Sequence, residues 1–369
     1  MGFMRMPVAP AVNDEAVAGF LRAAGADRRA LLRGGAGLGL TAALAGFAGK
    51  AGAQDDAEGE TPTPPGEEVG SDPNAASTGD ASPVPAGTAE FTLYDPRLAP
   101  VEAGEKDIEI VSRDATLFVA KDVPYAGWTF DGTIPGRALR VRQGDKINFT
   151  FKVDPTASTA HSVDFHSAKT PPEKNYKTIM PGEEFSWSFD ATTAGCFMYH
   201  CGTPPVLMHI GAGMYGAMIV DPAEGWSPAQ ELVFVQSDFY LSEGENGIMV
   251  PDYTKMLGHG SADFVTFNGY ANQYVENPIE IAVGEPVRIF VMNAGPNVWS
   301  SFHVVGAIFD KAYVNANPAN ELVGLQSITI GPGDGACVEF TVNEPGNYVA
   351  VNHAFGHAAH GAIAILSAK

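Results

Sequence analysis

The chain repeats itself. Trp128-Thr129-Phe130-Asp131-Gly132, followed by Leu139-Arg140-Val141-Arg142-Gln143-Gly144-Asp145, returns as Phe267-Asn268-Gly269 followed by Ile279-Glu280-Ile281-Ala282-Val283-Gly284-Glu285. Further on, Pro181-Gly182 through Ala194-Gly195-Cys196-Phe197 is echoed by Pro332-Gly333 through Pro345-Gly346-Asn347-Tyr348. The copies lie about 140 to 150 residues apart, the size of one β-sandwich. The same order of strand and turn signals, met twice, calls for two similar domains in tandem. Within each copy apolar residues alternate with polar ones, as in Lys146-Ile147-Asn148-Phe149-Thr150-Phe151 and Val287-Arg288-Ile289-Phe290-Val291. A period of two bounded by Gly and Pro marks strands with one buried face. The chain is therefore expected to be all-β, with two tandem β-sandwich domains over residues 90–222 and 230–369. The joint, residues 223–229, contains Gly225-Trp226-Ser227-Pro228. Helices should be few, with a short one between Pro251 and Leu257.

Residues 1–53 carry a different signal. Asp27-Arg28-Arg29-Ala30-Leu31-Leu32-Arg33 precedes an apolar run from Gly34 to Phe47 and then Ala51-Gly52-Ala53. Paired arginines, a run too short to span a bilayer and a small-x-small site, in that order, predict a twin-arginine export signal cleaved before Gln54. Residues 54–89 are Asp, Glu, Pro, Gly, Ser and Thr with almost nothing large and apolar. Such a segment cannot bury enough surface to offset its ordering entropy, so a disordered acidic tether is expected. The mature protein is thus expected to be periplasmic or otherwise exported. The net charge of -21, from 43 acidic and 22 basic residues, repels phosphate backbones and argues against nucleic acid as a partner.

Cysteine and histidine placement narrows the chemistry. Cys196 and Cys201 fall five apart on what reads as one strand, so their side chains face opposite ways and cannot readily bridge. In the run Cys201-Gly202-Thr203-Pro204-Pro205-Val206-Leu207-Met208-His209-Ile210-Gly211-Ala212-Gly213-Met214, a thiolate, an imidazole and a thioether follow one another closely. With His161 from an upstream strand they make the ligand set of a blue-copper site. Any one of these residues alone would more simply be core packing. His200 precedes Cys201 and must face the other way, and His166 lies five residues after His161, which also reverses the face. His166 and His200 are therefore candidates for a second metal. Two imidazoles hold copper poorly, so a third is needed. Aligning the repeats on their Pro-Gly turns sets Asn352 against Cys201, so the second domain lacks the thiolate but keeps His353 beside the gap.

Ala160-His161-Ser162-Val163-Asp164-Phe165-His166 and Tyr199-His200-Cys201-Gly202-Thr203-Pro204-Pro205, with His209 and Met214, resemble the motifs of copper-containing nitrite reductases. The likeness runs over essentially all of Ala89 to Lys369. It implies two Greek-key cupredoxin sandwiches, two coppers per subunit, and reduction of nitrite to nitric oxide and water. By the same resemblance His161, Cys201, His209 and Met214 hold a type 1 copper. His166 and His200 hold a type 2 copper, completed by His353 from a neighbouring subunit of a homotrimer. His303, in Ser301-Phe302-His303-Val304-Val305-Gly306, resembles the family's active-site histidine, and Val305 would be the apolar residue over the copper. Asp164 stands two residues before His166, on the same strand face, where a carboxylate can pass a proton to bound substrate or orient an imidazole. Electrons are expected from a small donor protein, a cupredoxin or a cytochrome c. His259, His357 and His360 fall in no matched motif and are given no role.

Two rivals remain at this stage. A two-domain multicopper oxidase needs His-x-His pairs and commonly His-Cys-His, but Asp164 and Gly202 stand where further histidines would be required. A plain electron carrier would leave His166, His200, Asp164 and His303 without work.

Overall fold

In the computed structural model, residues 91–369 are described; the predicted export signal and the whole of the acidic stretch lie outside them. Among the described residues, twenty-one strands form four sheets stacked in layers. The outermost first-domain sheet runs in the order Leu241–Glu243, Met249–Pro251, Val123–Phe130, Lys106–Ala120, Lys146–Val153, Glu184–Asp190. Its partner contains Leu139–Arg142, Tyr215–Asp221, Gly195–His200 and Asp164–Phe165. The second sandwich opens with Phe264–Phe267, Gln230–Phe239, Pro286–Gly295, Gly335–Thr341, Phe309–Val314 and Glu321–Leu325. It closes with Asn277–Ile281, Ile363–Ala368, Gly346–Asn352, Ser300–Val305 and Ser327–Ile330.

Each pair of sheets encloses a core. Trp128, Phe130, Phe149, Phe165 and Tyr199 fill the first, while Phe234, Phe267, Phe302 and Phe309 fill the second. A third apolar layer, with Cys196, Met198 and Ile219 against Phe290, Met292 and Cys337, joins the two middle sheets. The central strands of those sheets are covered on both faces, which is why Tyr215–Asp221 is buried throughout rather than alternating. The sheets approach so closely that a Cβ on Gly335 would lie 2.2 Å from the Cys196 carbonyl oxygen. Cys196 and Cys337 belong to this inter-domain layer, away from Cys201 in the first core.

A buried ion network ties the same layer together. Arg140 bonds Asp221 at 2.9 Å and Glu231 at 2.8 Å, and Arg288 bonds Glu231 at 2.8 Å and Glu339 at 2.6 Å. Arg288 also lies 4.8 Å over the Trp226 ring, so the inter-domain joint is packed against the second domain. One feature departs from a clean division at the joint. The strands Leu241–Glu243 and Met249–Pro251 come from beyond residue 230 yet extend the first domain's outer sheet, pairing Met249 with Tyr125. The short helix follows at Tyr253–Leu257, started by Asp252 accepting from the Lys255 amide.

Candidate metal centres

The first cluster forms where three segments meet at one end of the first sandwich. The strand Gly195–His200 delivers Cys201 to the core, the helix Val206–Gly211 carries His209, and the segment before Asp164–Phe165 brings His161. Cys201 Sγ lies 3.3 Å from His209 Nδ1 and 3.9 Å from His161 Nδ1, and the two Nδ1 atoms are 3.2 Å apart. Met214 is buried in the same core; its carbonyl accepts the Cys201 amide at 3.1 Å, and its amide donates to the His209 carbonyl at 3.1 Å. Burial, helped by nearby His209, pushes His161 down to about 3, and burial pushes His209 down to about 4. Both imidazoles are therefore neutral at ordinary pH, the form that ligates a metal. Burial raises the Cys201 thiol, while hydrogen bonds from Ser162 and Thr203 act in the opposite direction. The Ser162 amide points at Sγ from 3.4 Å. Two neutral imidazoles and a sulfur converging in an apolar core fit a soft cation, whose charge would favour the thiolate.

The second cluster uses the opposite face of the same strand. His200 and His166 face each other with Nε2 atoms 3.0 Å apart, and an Asp164 carboxylate oxygen lies 3.9 Å from His200 Nε2. Asp164 reaches this place because it pairs directly with His200 across two antiparallel strands. His200 Nδ1 sits 2.9 Å from the Cys201 carbonyl oxygen. A proton held on Nδ1 by that carbonyl leaves the Nε2 lone pair for a metal. His200 is pushed down by burial, up by the Cys201 carbonyl, down by His166 and up by Asp164, with a net lowering. Adjacent residues thus belong to two different clusters of ligand atoms, His161–Cys201–His209 and Asp164–His166–His200.

His353 joins neither cluster among the described residues. It lies at the end of Gly346–Asn352 with its ring 5.4 Å from that of His303 and 4.7 Å from that of Phe355. Ser301, His303 and Val305 alternate with buried Phe302 and Val304, so they project from the outer face of the last sheet. Val305 packs against the small cluster of Val349, Val351, Ala358 and Ile363. His303 Nδ1 is hydrogen-bonded to the Gln326 carbonyl.

Known proteins resemble this chain in sequence and fold. A multicopper oxidase family model matches residues 113–225. The copper-containing nitrite reductase of Neisseria meningitidis serogroup B is 39% identical over 252 residues, covering 67% of this chain and 64% of that protein. The enzyme of the same description from Rhizobium sullae is 30% identical over 281 residues, covering 68% of this chain and 73% of its own length. The solved structure of the copper nitrite reductase from Nitrosomonas europaea superposes with a TM-score of 0.67 at 35% identity, over 72% of this chain and 94% of that one. The chain belongs to the copper-containing nitrite reductase family. Its match spans just under two thirds of the Neisseria relative. The fold is that of the family, two cupredoxin β-sandwiches in tandem.

As a copper-containing nitrite reductase homologue, the chain invites comparison of its two domains. Asp164 pairs with His200 and His303 with Val351, so His303 occupies in the second domain the place of Asp164 in the first. The equivalence continues: Cys201 donates its amide to the Met214 carbonyl as Asn352 does to that of Ala362, at 3.1 Å each. Met214 and Ala362 in turn donate to the carbonyls of His209 and His357, again at 3.1 Å. His357, without a role in the sequence, is therefore the counterpart of His209; the separation from Asn352 is shorter than that from Cys201 to His209, which hides the match. Trp128 was also missed: its ring lies 4.5 Å from that of His209 and 5.5 Å from that of His161, walling the first cluster. Its only sequence signal was an aromatic residue in the repeated motif.

Proposed function

We propose that this chain reduces nitrite to nitric oxide, with one electron and two protons consumed and one water released. The observation that carries the proposal is that the adjacent residues Cys201 and His200 enter two separate clusters of ligand atoms. His161, Cys201, His209 and Met214 are assigned to a type 1 copper, and His166 and His200, with His353 of a neighbouring chain, to a type 2 copper, two ions per subunit. Bound copper would supply one-electron redox chemistry at the first centre and a Lewis-acidic place for nitrite at the second. The peptide between Cys201 and His200 would be the short covalent connection between the two metals, were both bound. Asp164, 3.9 Å from His200 Nε2, is within reach of an oxygen held beside that imidazole and is assigned to deliver a proton. His303 takes the second proton role, with its Nδ1 held on the Gln326 carbonyl so that Nε2 is left for the proton. Val305 closes the pocket with an apolar wall, restricting how a small anion lies.

His303 and Val305 stand on the outer face of the last sheet, whereas the strand carrying His200 faces the second domain from the other side, which supports a site completed between chains. A first domain meeting a neighbour's second domain is a head-to-tail contact, which closes into a ring or runs on as a filament. The ring is assigned three members, a homotrimer. Electrons are assigned to a small donor protein, a cupredoxin or a cytochrome c, and the twin-arginine segment is assigned to carry the protein to the periplasm or otherwise out of the cytoplasm. The multicopper oxidase family match favours oxygen reduction as a second reading, but the positions beside the clusters hold Asp164 and Gly202 instead of the further histidines a trinuclear centre needs. Copper-loaded protein given nitrite and an artificial donor should evolve nitric oxide. Oxygen consumption without nitric oxide would reverse the choice.

A further inference from the structure

We propose that Asn352, standing where the first domain has its thiolate, is the positioning residue that presets His353 for the shared copper site. The proposal rests on the assignment of His353 as a ligand. Asn352 is fully buried, and every bonding capacity of its amide is engaged. Oδ1 accepts from the backbone amides of Ser301 and Ala354, each at 3.1 Å. Nδ2 faces the Gln236 side-chain oxygen at 3.1 Å, the Trp299 carbonyl at 3.0 Å and His357 Nδ1 at 3.2 Å. Two hydrogens serve three acceptors, so the group is locked in one orientation.

These bonds bracket His353. Its neighbour Ala354 is held through Oδ1, its own amide donates to the Ser301 carbonyl at 2.7 Å, and Ser301 is itself held by Asn352. The backbone of His353 is thereby fixed to the strand that carries His303, and the imidazole is presented beside His303 at a ring separation of 5.4 Å. In the first domain the thiol at this position faces His161 and His209, where a metal would tie the strands together. In the second an amide ties the corresponding strand to Ser301 and to His357, the counterpart of His209. Loss of the second domain's metal chemistry thus keeps the crosslink and turns it toward the adjacent residue. A ligand already held in its bound geometry loses less ordering entropy when the metal arrives.

The test titrates copper into the copper-depleted full-length protein and reads type 2 occupancy and its electron paramagnetic resonance spectrum, with the type 1 visible absorption as an internal control. Asn352→Asp keeps the size and both acceptor bonds but sets a carboxylate against three acceptors; Asn352→Ser is smaller and keeps one hydroxyl. Both should fold with normal type 1 absorption, bind type 2 copper about 10- to 100-fold more weakly, and show altered copper hyperfine splitting. His353→Ala, run alongside, should lose type 2 binding. Wild-type affinity and spectrum in the folded Asn352 variants, with binding lost in His353→Ala, overturn the positioning role alone. Wild-type affinity in His353→Ala overturns the ligand assignment and the proposal with it. Failure of both Asn352 variants to fold would make Asn352 a stability residue and likewise overturn its positioning role.

Discussion

At the scale of single residues, chemistry follows from which way a side chain faces. Cys201 enters an apolar core with two neutral imidazoles, which supports its proposed role as the thiolate of a first centre. Cys201→Ala should abolish the intense visible absorption of the copper-loaded protein and leave about one copper per chain at the second centre; a variant that keeps its colour contradicts the assignment. Asp164→Asn keeps shape but removes the proposed proton donor beside His200. Turnover should fall by roughly 100- to 10,000-fold with copper content unchanged, and near-normal steady-state rates would reduce Asp164 to orienting an imidazole. The first cluster was legible in the sequence because Cys201, His209 and Met214 come from one short run, and because one residue of offset reverses a strand's face. His357 was not, because a shorter connection in the second domain displaces it from the aligned position. Its partnership with Asn352 exists only once two strands and a helix are packed together.

At the scale of elements, the alternating pattern predicted strands, but the central strands of the middle sheets are buried on both faces and the excursion from Leu241 to Pro251 crosses to the first domain. Local periodicity carries no record of such non-local pairing. Glu231 receives both Arg140 and Arg288 at that junction, each at 2.8 Å. Glu231→Ala leaves two largely buried guanidinium groups short of a partner and should destabilise the folded protein by about 3–5 kcal/mol in denaturant titrations; a change within experimental scatter would mean that the remaining carboxylates suffice. Asp238, in the strand Gln230–Phe239, accepts from the Asn297 and Val298 amides at 3.1 and 3.3 Å, and burial pushes it up to about 6. The folded state therefore holds this proton more tightly than the unfolded chain, whose value is about 4. The resulting stability is present below about pH 4 and is lost as pH rises through 6, by up to about 3 kcal/mol. In copper-free protein, Asp238→Asn should remove that decline; parallel stability curves for variant and wild type between pH 4 and 7 would contradict it.

At the scale of the whole molecule, the proposed second centre divides its ligands: His166 and His200 lie together on one domain, and His353 lies beside His303 on the other. The repeat that announced two domains also accounts for this division, since Asp164 and His303 occupy equivalent places in the two copies. The most direct test mixes two inactive proteins, His166→Ala and His353→Ala, after dissociation and reassembly. Random mixing gives about one quarter of interfaces an intact first domain facing an intact second domain. Nitric oxide production from nitrite should return to about that fraction of the wild-type rate. Mixed rings that form but evolve no nitric oxide, or a fully active isolated chain, would contradict a nitrite-reducing site shared between subunits.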